Sequence, residues 1–184
     1  MKRLTIIALM ANLTLASAFA QHSVNMVFSG NGAASPINLK QPNTSTAEEN
    51  VAGDGTLGSF TFRDVRAIAA IPQPNSTCVG LYFPSTAGTG VLRFEDGSLL
   101  TVSLTQGGDC IDLVHLVGHC SLTFKITGGT GRFANASGFL TYTETALPLI
   151  SDAMNNPAFF SETGEFTGTI SGVTIGKEPQ EGRH

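Results

Sequence analysis

The segment Ser121 to Thr145, SLTFKITGGTGRFANASGFLTYTET, sets two alternating stretches on either side of a glycine-rich corner. In the first, Leu122, Phe124 and Ile126 face one way while Ser121, Thr123, Lys125 and Thr127 face the other. In the second, Leu140, Tyr142 and Glu144 share one face, and Phe139, Thr141, Thr143 and Thr145 share the opposite one. A period of two residues belongs to a β-strand with one buried face. Slipping either stretch by one residue would turn every side chain over, so the register is tightly specified.

The same pattern recurs along the chain. Strands are expected at Val24–Phe28, at Ser59–Arg66, where Phe60 and Phe62 alternate with Thr61 and Arg63, and at Val79–Phe83. Val91–Glu95 and Ser98–Thr105 read as a hairpin, with Asp96-Gly97 supplying the positive φ angles of a two-residue turn. Gln106–Asp109 reads as a further turn, followed by strands at Ile111–Leu116, Gly118–Thr127 and Gly164–Ser171. Pro148–Pro157 is expected to leave the sheet as an excursion, its end pinned by Phe159 and Phe160. With roughly eight or nine short strands and no amphipathic helix, the chain is assigned to the all-β class. Its expected form is an antiparallel, closed or nearly closed barrel of about eight strands, which leaves no sheet edge exposed.

Residues 1–20 have the layout of a secretory signal peptide: Lys2 and Arg3, an apolar run from Ile6 to Leu15, and Ala18-Phe19-Ala20 before the expected cut. Asn12, Thr14 and Ser17 interrupt the run, which argues against a membrane anchor. Secretion or delivery to a periplasm follows, with no membrane insertion after cleavage. The remaining 164 of 184 residues suit one domain. It is divided into an N-terminal strand and flexible lead-in (21–52), the barrel (53–176) and a polar tail (177–184). Within the lead-in, Gly30–Asn50 has so few apolar residues that a mobile surface loop is expected. Without the leader, eight Lys and Arg face 14 Asp and Glu, which lacks the basic footprint that nucleic acid requires. Cys78, Cys110 and Cys120 imply one disulfide and one free thiol. Cys110–Cys120, closing a hairpin, is the favoured pair, with Cys78 buried; connectivity through Cys78 stays open, since sequence does not fix it.

Gly129-Thr130-Gly131-Arg132-Phe133, followed by Ala136 and Gly138, resembles the Gly-Thr-Gly-x-Phe-x-x-Ala-x-Gly signature of dirigent proteins and allene oxide cyclase-like barrels. The resemblance implies an eight-stranded antiparallel barrel with an apolar interior, often assembled as a homotrimer; the leader here has a bacterial look. In those families the cavity cyclises a fatty-acid epoxide or steers the coupling of phenoxy radicals. Their catalytic residues lie outside the signature, so neither reaction transfers on fold alone. Read physically, Gly129, Thr130 and Gly131 reverse the chain, Phe133 plugs a barrel end, and Ala136 and Gly138 allow close backbone approach, which makes the motif structural. Arg132 is expected to bond loop carbonyls at the rim.

Asp109, Cys110, Asp112, His115, His119 and Cys120 are of metal-ligand types, but on a strand His115 and His119 would lie roughly 13 Å apart. No metal site and no cofactor are assigned. Arg63, Asp64 and Arg66 are read as a surface ion-pair network. If the Leu140 face points inward, Glu144 would be partly desolvated beside the phenol of Tyr142, with a raised pKa and the character of a general base. Tyr142 and Glu144 are thus the catalytic candidates, and Leu140 and Tyr142 the ligand-binding ones. The expected function is non-enzymatic binding of a small hydrophobic molecule in an apolar cavity. The alternatives are an isomerase or cyclase acting in that cavity, and an extracellular structural or adhesion module.

Overall fold

The computed structural model describes residues 20–36, 41–153 and 157–174. The expected leader, apart from Ala20, and the polar tail lie outside the described residues. Eight strands follow one another around a closed antiparallel barrel: β1 (His22–Ser35), β2 (Thr44–Gly55), β3 (Phe60–Ala69), β4 (Leu81–Phe94), β5 (Leu99–Asp112), β6 (Val117–Gly129), β7 (Ser137–Ser151) and β8 (Pro157–Ser171). β1 closes the ring by pairing with β8, from His22 opposite Ile170 to Ala33 opposite Phe159. One 3-10 turn, Gly131–Phe133, joins β6 to β7.

Alternation puts one face of every strand inside. Phe28, Phe60, Phe62, Phe94, Phe124, Phe133, Tyr142 and Phe166 are all buried there. Their rings interlock: Phe28 stacks on Tyr142 with centroids 4.8 Å apart, and Phe62 meets Phe166 edge to face at 5.0 Å. Burying rings of this size contributes on the order of 1.5–3 kcal/mol each. Gly90 makes room for one of them: a Cβ there would stand 2.5 Å from Phe62 Cε2 and 3.1 Å from Asp64 Cβ.

The corner from Gly129 to Gly138 caps one end of the barrel. Phe133 is fully buried and meets Phe94 at 4.7 Å. Gly131 has φ +58°, the left-handed region that suits glycine. The Thr130 amide donates to the Leu99 carbonyl at 2.8 Å, and its hydroxyl accepts from the Leu99 amide at 3.1 Å, tying the corner to the neighbouring hairpin. Arg132 Nη2 donates to the Leu57 carbonyl at 2.5 Å, Nε pairs with Asp96 at 3.0 Å, and the guanidinium lies over Phe94 and Phe133.

Several expectations are corrected. The Gly30–Asn50 segment is not a loop, and the barrel does not start at residue 53: β1 and β2 take up most of that segment, paired over Met26–Ser35 and Thr46–Gly55. Its inward positions are Gly30, Gly32, Ala47 and Glu49, so a strand facing a polar interior leaves no hydrophobic alternation to read. Gln106–Asp109 continues β5 through a register shift at Leu104/Gln106, and the turn falls at residues 113–116. Pro148 and Ile150 are strand residues of β7, opposite Phe160 and Phe159, with the irregularity absorbed by register shifts; residues 154–156 lie outside the described residues. The hairpin turn after Phe94 has three residues rather than two. Phe94 and Ser98 close it, only Gly97 has positive φ, and the Asp96 side chain accepts from the Ser98 amide.

The disulfide is Cys78–Cys110, and Cys120 is a buried free thiol. Cys110 sits opposite His119, and Cys120 opposite Asp109, so the two cysteines point to opposite faces of the sheet and cannot bond. The disulfide ties the β3–β4 connection to the outside of β5 across a 32-residue separation. In the loop-entropy picture a closure of this length is worth about 3–4 kcal/mol. Cys110→Ser is therefore expected to lower the urea midpoint and, by letting the unfolded chain expand, to steepen the transition, while Cys120 in the native protein resists alkylation until the barrel is unfolded.

Candidate functional site

Connections β1–β2, β3–β4, β5–β6 and β7–β8 lie at the end of the barrel opposite the glycine corner. Toward that end the inward face changes from aromatic to ionisable. Phe60 and Phe62 are followed on the same face of β3 by Asp64 and Arg66; Leu140 and Tyr142 are followed on β7 by Glu144. Glu49 stands opposite Asp64, Cys120 between Asp109 and Glu144 on its neighbouring strands, and Glu162 beside Ala146. Glu49, Asp64, Arg66, Glu144 and Glu162 are all buried.

Arg66 is the hub. Its Nη2 pairs with Glu49 Oε1, its Nη1 donates to Asp109 Oδ1 at 3.1 Å and Oδ2 at 3.3 Å, and Nε lies 3.6 Å from Asp64 Oδ2. Nη1 also lies 3.3 Å from Cys120 Sγ. Burial would lower the guanidinium's pKa, but Asp109 and the other negative neighbours outweigh it and hold the group firmly charged. Beside this hub the Tyr142 hydroxyl donates to Glu144 Oε2.

The remaining groups are short of partners. Glu49 Oε2, both oxygens of Asp64 and both of Glu162 have no well-aligned hydrogen-bond donor among the described residues. Burial, and then the charge of Glu144, push the Glu162 carboxyl up to about 9, so near neutral pH it carries a proton. Burial raises Glu144 despite the pull of Arg66, and raises Asp64 well above the carboxylate range with Glu144 adding to it. The Tyr142 phenol and the Cys120 thiol are pushed up by burial in the same way.

Leu140, Tyr142 and Glu144, the sequence candidates, thus point inward together, Leu140 and Tyr142 within the packed core and Glu144 at its polar boundary. The expected surface network is not one: Asp64 and Arg66 are inside, and only Arg63 is exposed. Period two already implied this, since both continue the face of Phe60 and Phe62. Glu49 and Glu162 gave no such signal, because Glu49 lies in the stretch read as loop and Glu162 just ahead of the strand expected from Gly164. Of the residues grouped by metal-ligand type, Cys110 is in the disulfide, Asp112 and His115 pair at 2.7 Å near the β5–β6 turn, and His119 is exposed. Only Asp109 and Cys120 face the interior cluster. Hydrogen bonds from the His115 ring and the local backbone pull the Asp112 carboxyl down to about 2.

Two further features mark this end. Exposed apolar side chains gather on its connections and strand ends, among them Ile71, Val79, Val114, Leu116, Leu149 and Ile150. A groove of about 480 Å³, lined by Thr77, Tyr82, Gln106, His119 and Thr123, opens beside the disulfide and is bordered by Cys120. Among the described residues no helix is long and apolar enough to cross a membrane. Comparison with protein-family models gives no match. Comparison with curated proteins gives none either.

Proposed function

We infer that the chain is a secreted, non-enzymatic binding barrel that takes a small hydrophobic molecule at its carboxylate end. The observation that carries this is the coincidence, at one end, of exposed apolar side chains outside and unpartnered buried carboxylates inside. A large apolar side chain left in water, and a carboxylate left without a donor, are both costly, and one amphipathic ligand relieves both. Such a ligand lays its apolar body against Val114, Leu116, Leu149 and their neighbours and directs a hydroxyl or amine inward. The opposite half is filled by the interlocked rings, which moves the expected ligand out of a central cavity. The disulfide suits an oxidising compartment, as secretion requires.

Native mass spectrometry of protein purified from its own host should show a small organic molecule bound to the barrel. Repeated preparations carrying none would sink the reading. The Tyr142–Glu144 hydrogen bond favours a second reading, an isomerase or cyclase with a phenol and a carboxylate as its proton-transfer pair. Extracted ligand returned to ligand-free protein separates the two: a product of unchanged mass but altered retention time supports the enzyme, and ligand recovered unaltered supports binding. The trimer implied by the family resemblance is tested by the mass of the native assembly.

A further inference from the structure

The carboxylate cluster holds more acidic groups than its one guanidinium can pair. Five carboxylates, Glu49, Asp64, Asp109, Glu144 and Glu162, surround one guanidinium, Arg66, and each of these side chains is fully or largely withdrawn from water. Isolated charges in such a place are strongly disfavoured unless they are paired.

Glu49, Glu144 and Glu162 each bring a carboxylate oxygen to one point, and these oxygens all lie within 4.8 Å of one another. Other contacts hold only part of this trio: Glu49 Oε1 is taken by Arg66 and Glu144 Oε2 by Tyr142. Glu49 Oε2 is left without a donor, and Glu162, 2 % exposed, meets only the Glu144 carboxyl, to which it donates when it carries a proton. The other convergent trio, Asp109, Cys120 and Glu144, is less open, because Arg66 holds Asp109 by two hydrogen bonds and also reaches Cys120. We propose that Glu49, Glu144 and Glu162 form a site for a hard divalent cation of calcium's size.

The chemistry selects that class. The available donors are all oxygen, which suits hard cations, and oxygens held at about 2.3–2.6 Å from a calcium ion span separations of up to about 5 Å. Two oxygens on one magnesium ion, each at about 2.0–2.1 Å, stand no more than about 4.2 Å apart, so an envelope of 4.8 Å suits the larger ion. The three glutamates come from β2, β7 and β8, on either side of the β1–β8 seam, so a bound ion also staples the closure of the barrel.

The test uses the whole protein stripped with a chelator. The chain has no tryptophan and only two tyrosines, and Tyr142 touches the proposed site, so terbium bound in place of calcium is expected to show tyrosine-sensitised emission that calcium quenches by competition. Calcium at about one hundred times its Kd should raise the melting temperature by roughly 5–10 °C. Glu162→Gln and, separately, Glu49→Gln should weaken calcium binding at least tenfold, whereas Asp112→Asn, on the exterior, should not. Either glutamine variant that folds is sufficient. No emission and no thermal shift at millimolar calcium would overturn the proposal and leave protons as the neutralising species. An equal shift in wild type and in the glutamine variants would overturn it as well, since the ion would then be bound elsewhere.

Discussion

Arg66→Met is expected to leave the barrel unfolded or nearly so at neutral pH and to let it fold in acid. The methionine roughly keeps the apolar stem but removes the guanidinium that meets Glu49, Asp64, Asp109 and Cys120. Breaking a buried ion pair from one side costs about 3–5 kcal/mol, because the abandoned carboxylates stay buried without compensation. Here one cation is shared among several of them, so the loss is at the upper end of that range and a large fraction of a typical domain's whole stability. Burial holds Asp64 and Glu144 toward their neutral forms, so lowering the pH into the ordinary carboxylate range, where the unfolded chain is protonated too, removes much of the penalty. Circular dichroism across this pH range checks it. A variant as stable as wild type at neutral pH would mean that the cluster is neutral without Arg66.

The second large effect is the pH dependence of the wild type in chelator. Glu162 ordinarily titrates near 4.5 and in the barrel is pushed up to about 9. A carboxyl whose folded-state pKa is raised contributes stability that is complete below the unfolded value and is lost as pH rises through the folded one. The barrel should therefore be most stable in mild acid and lose stability steadily between about pH 4.5 and about pH 9, the reverse of a protein held by ordinary surface carboxylates. Asp64 and Glu144, shifted in the same direction, add to the slope. Glu162→Gln, which cannot ionise, should flatten it. Urea midpoints at several pH values make the comparison, and parallel curves for wild type and variant would show that Glu162 is not the group responsible.

How far the fold could be read from sequence depended on what each strand faces. β5, β6 and β7 alternate between large apolar and small polar residues because their inward faces meet the ring-filled half of the barrel, and those stretches announce themselves in Leu100, Val102, Leu122, Phe124 and Leu140. β2 faces the charged half. Its inward series, Ala47, Glu49, Val51 and Gly53, carries one large apolar residue, so the same geometry leaves no hydrophobic trace. The start of β8, with Glu162 inward, was hidden in the same way. For the site, Tyr142 and Glu144 were legible because the strand around them was. Arg66 and Asp64 were misplaced because charged residues are ordinarily exposed, a rule that fails where several strands each bring a charge to one interior point. The disulfide depended on a register shift in β5 that alternation alone does not foretell.

The seam between β1 and β8 has a kinetic consequence. His22 pairs with Ile170 and Val24 with Gly168, so the first strand of the ring can find its last neighbour only after nearly the whole described chain has emerged. Until then β1 and β7 each present an open edge, and contacts between such distant parts of a chain form slowly. A barrel wired in this way stays unclosed for most of its synthesis. The same wiring makes β8 the strand whose loss or delay exposes the most, and the place where a premature stop would turn a sealed ring into a sticky sheet.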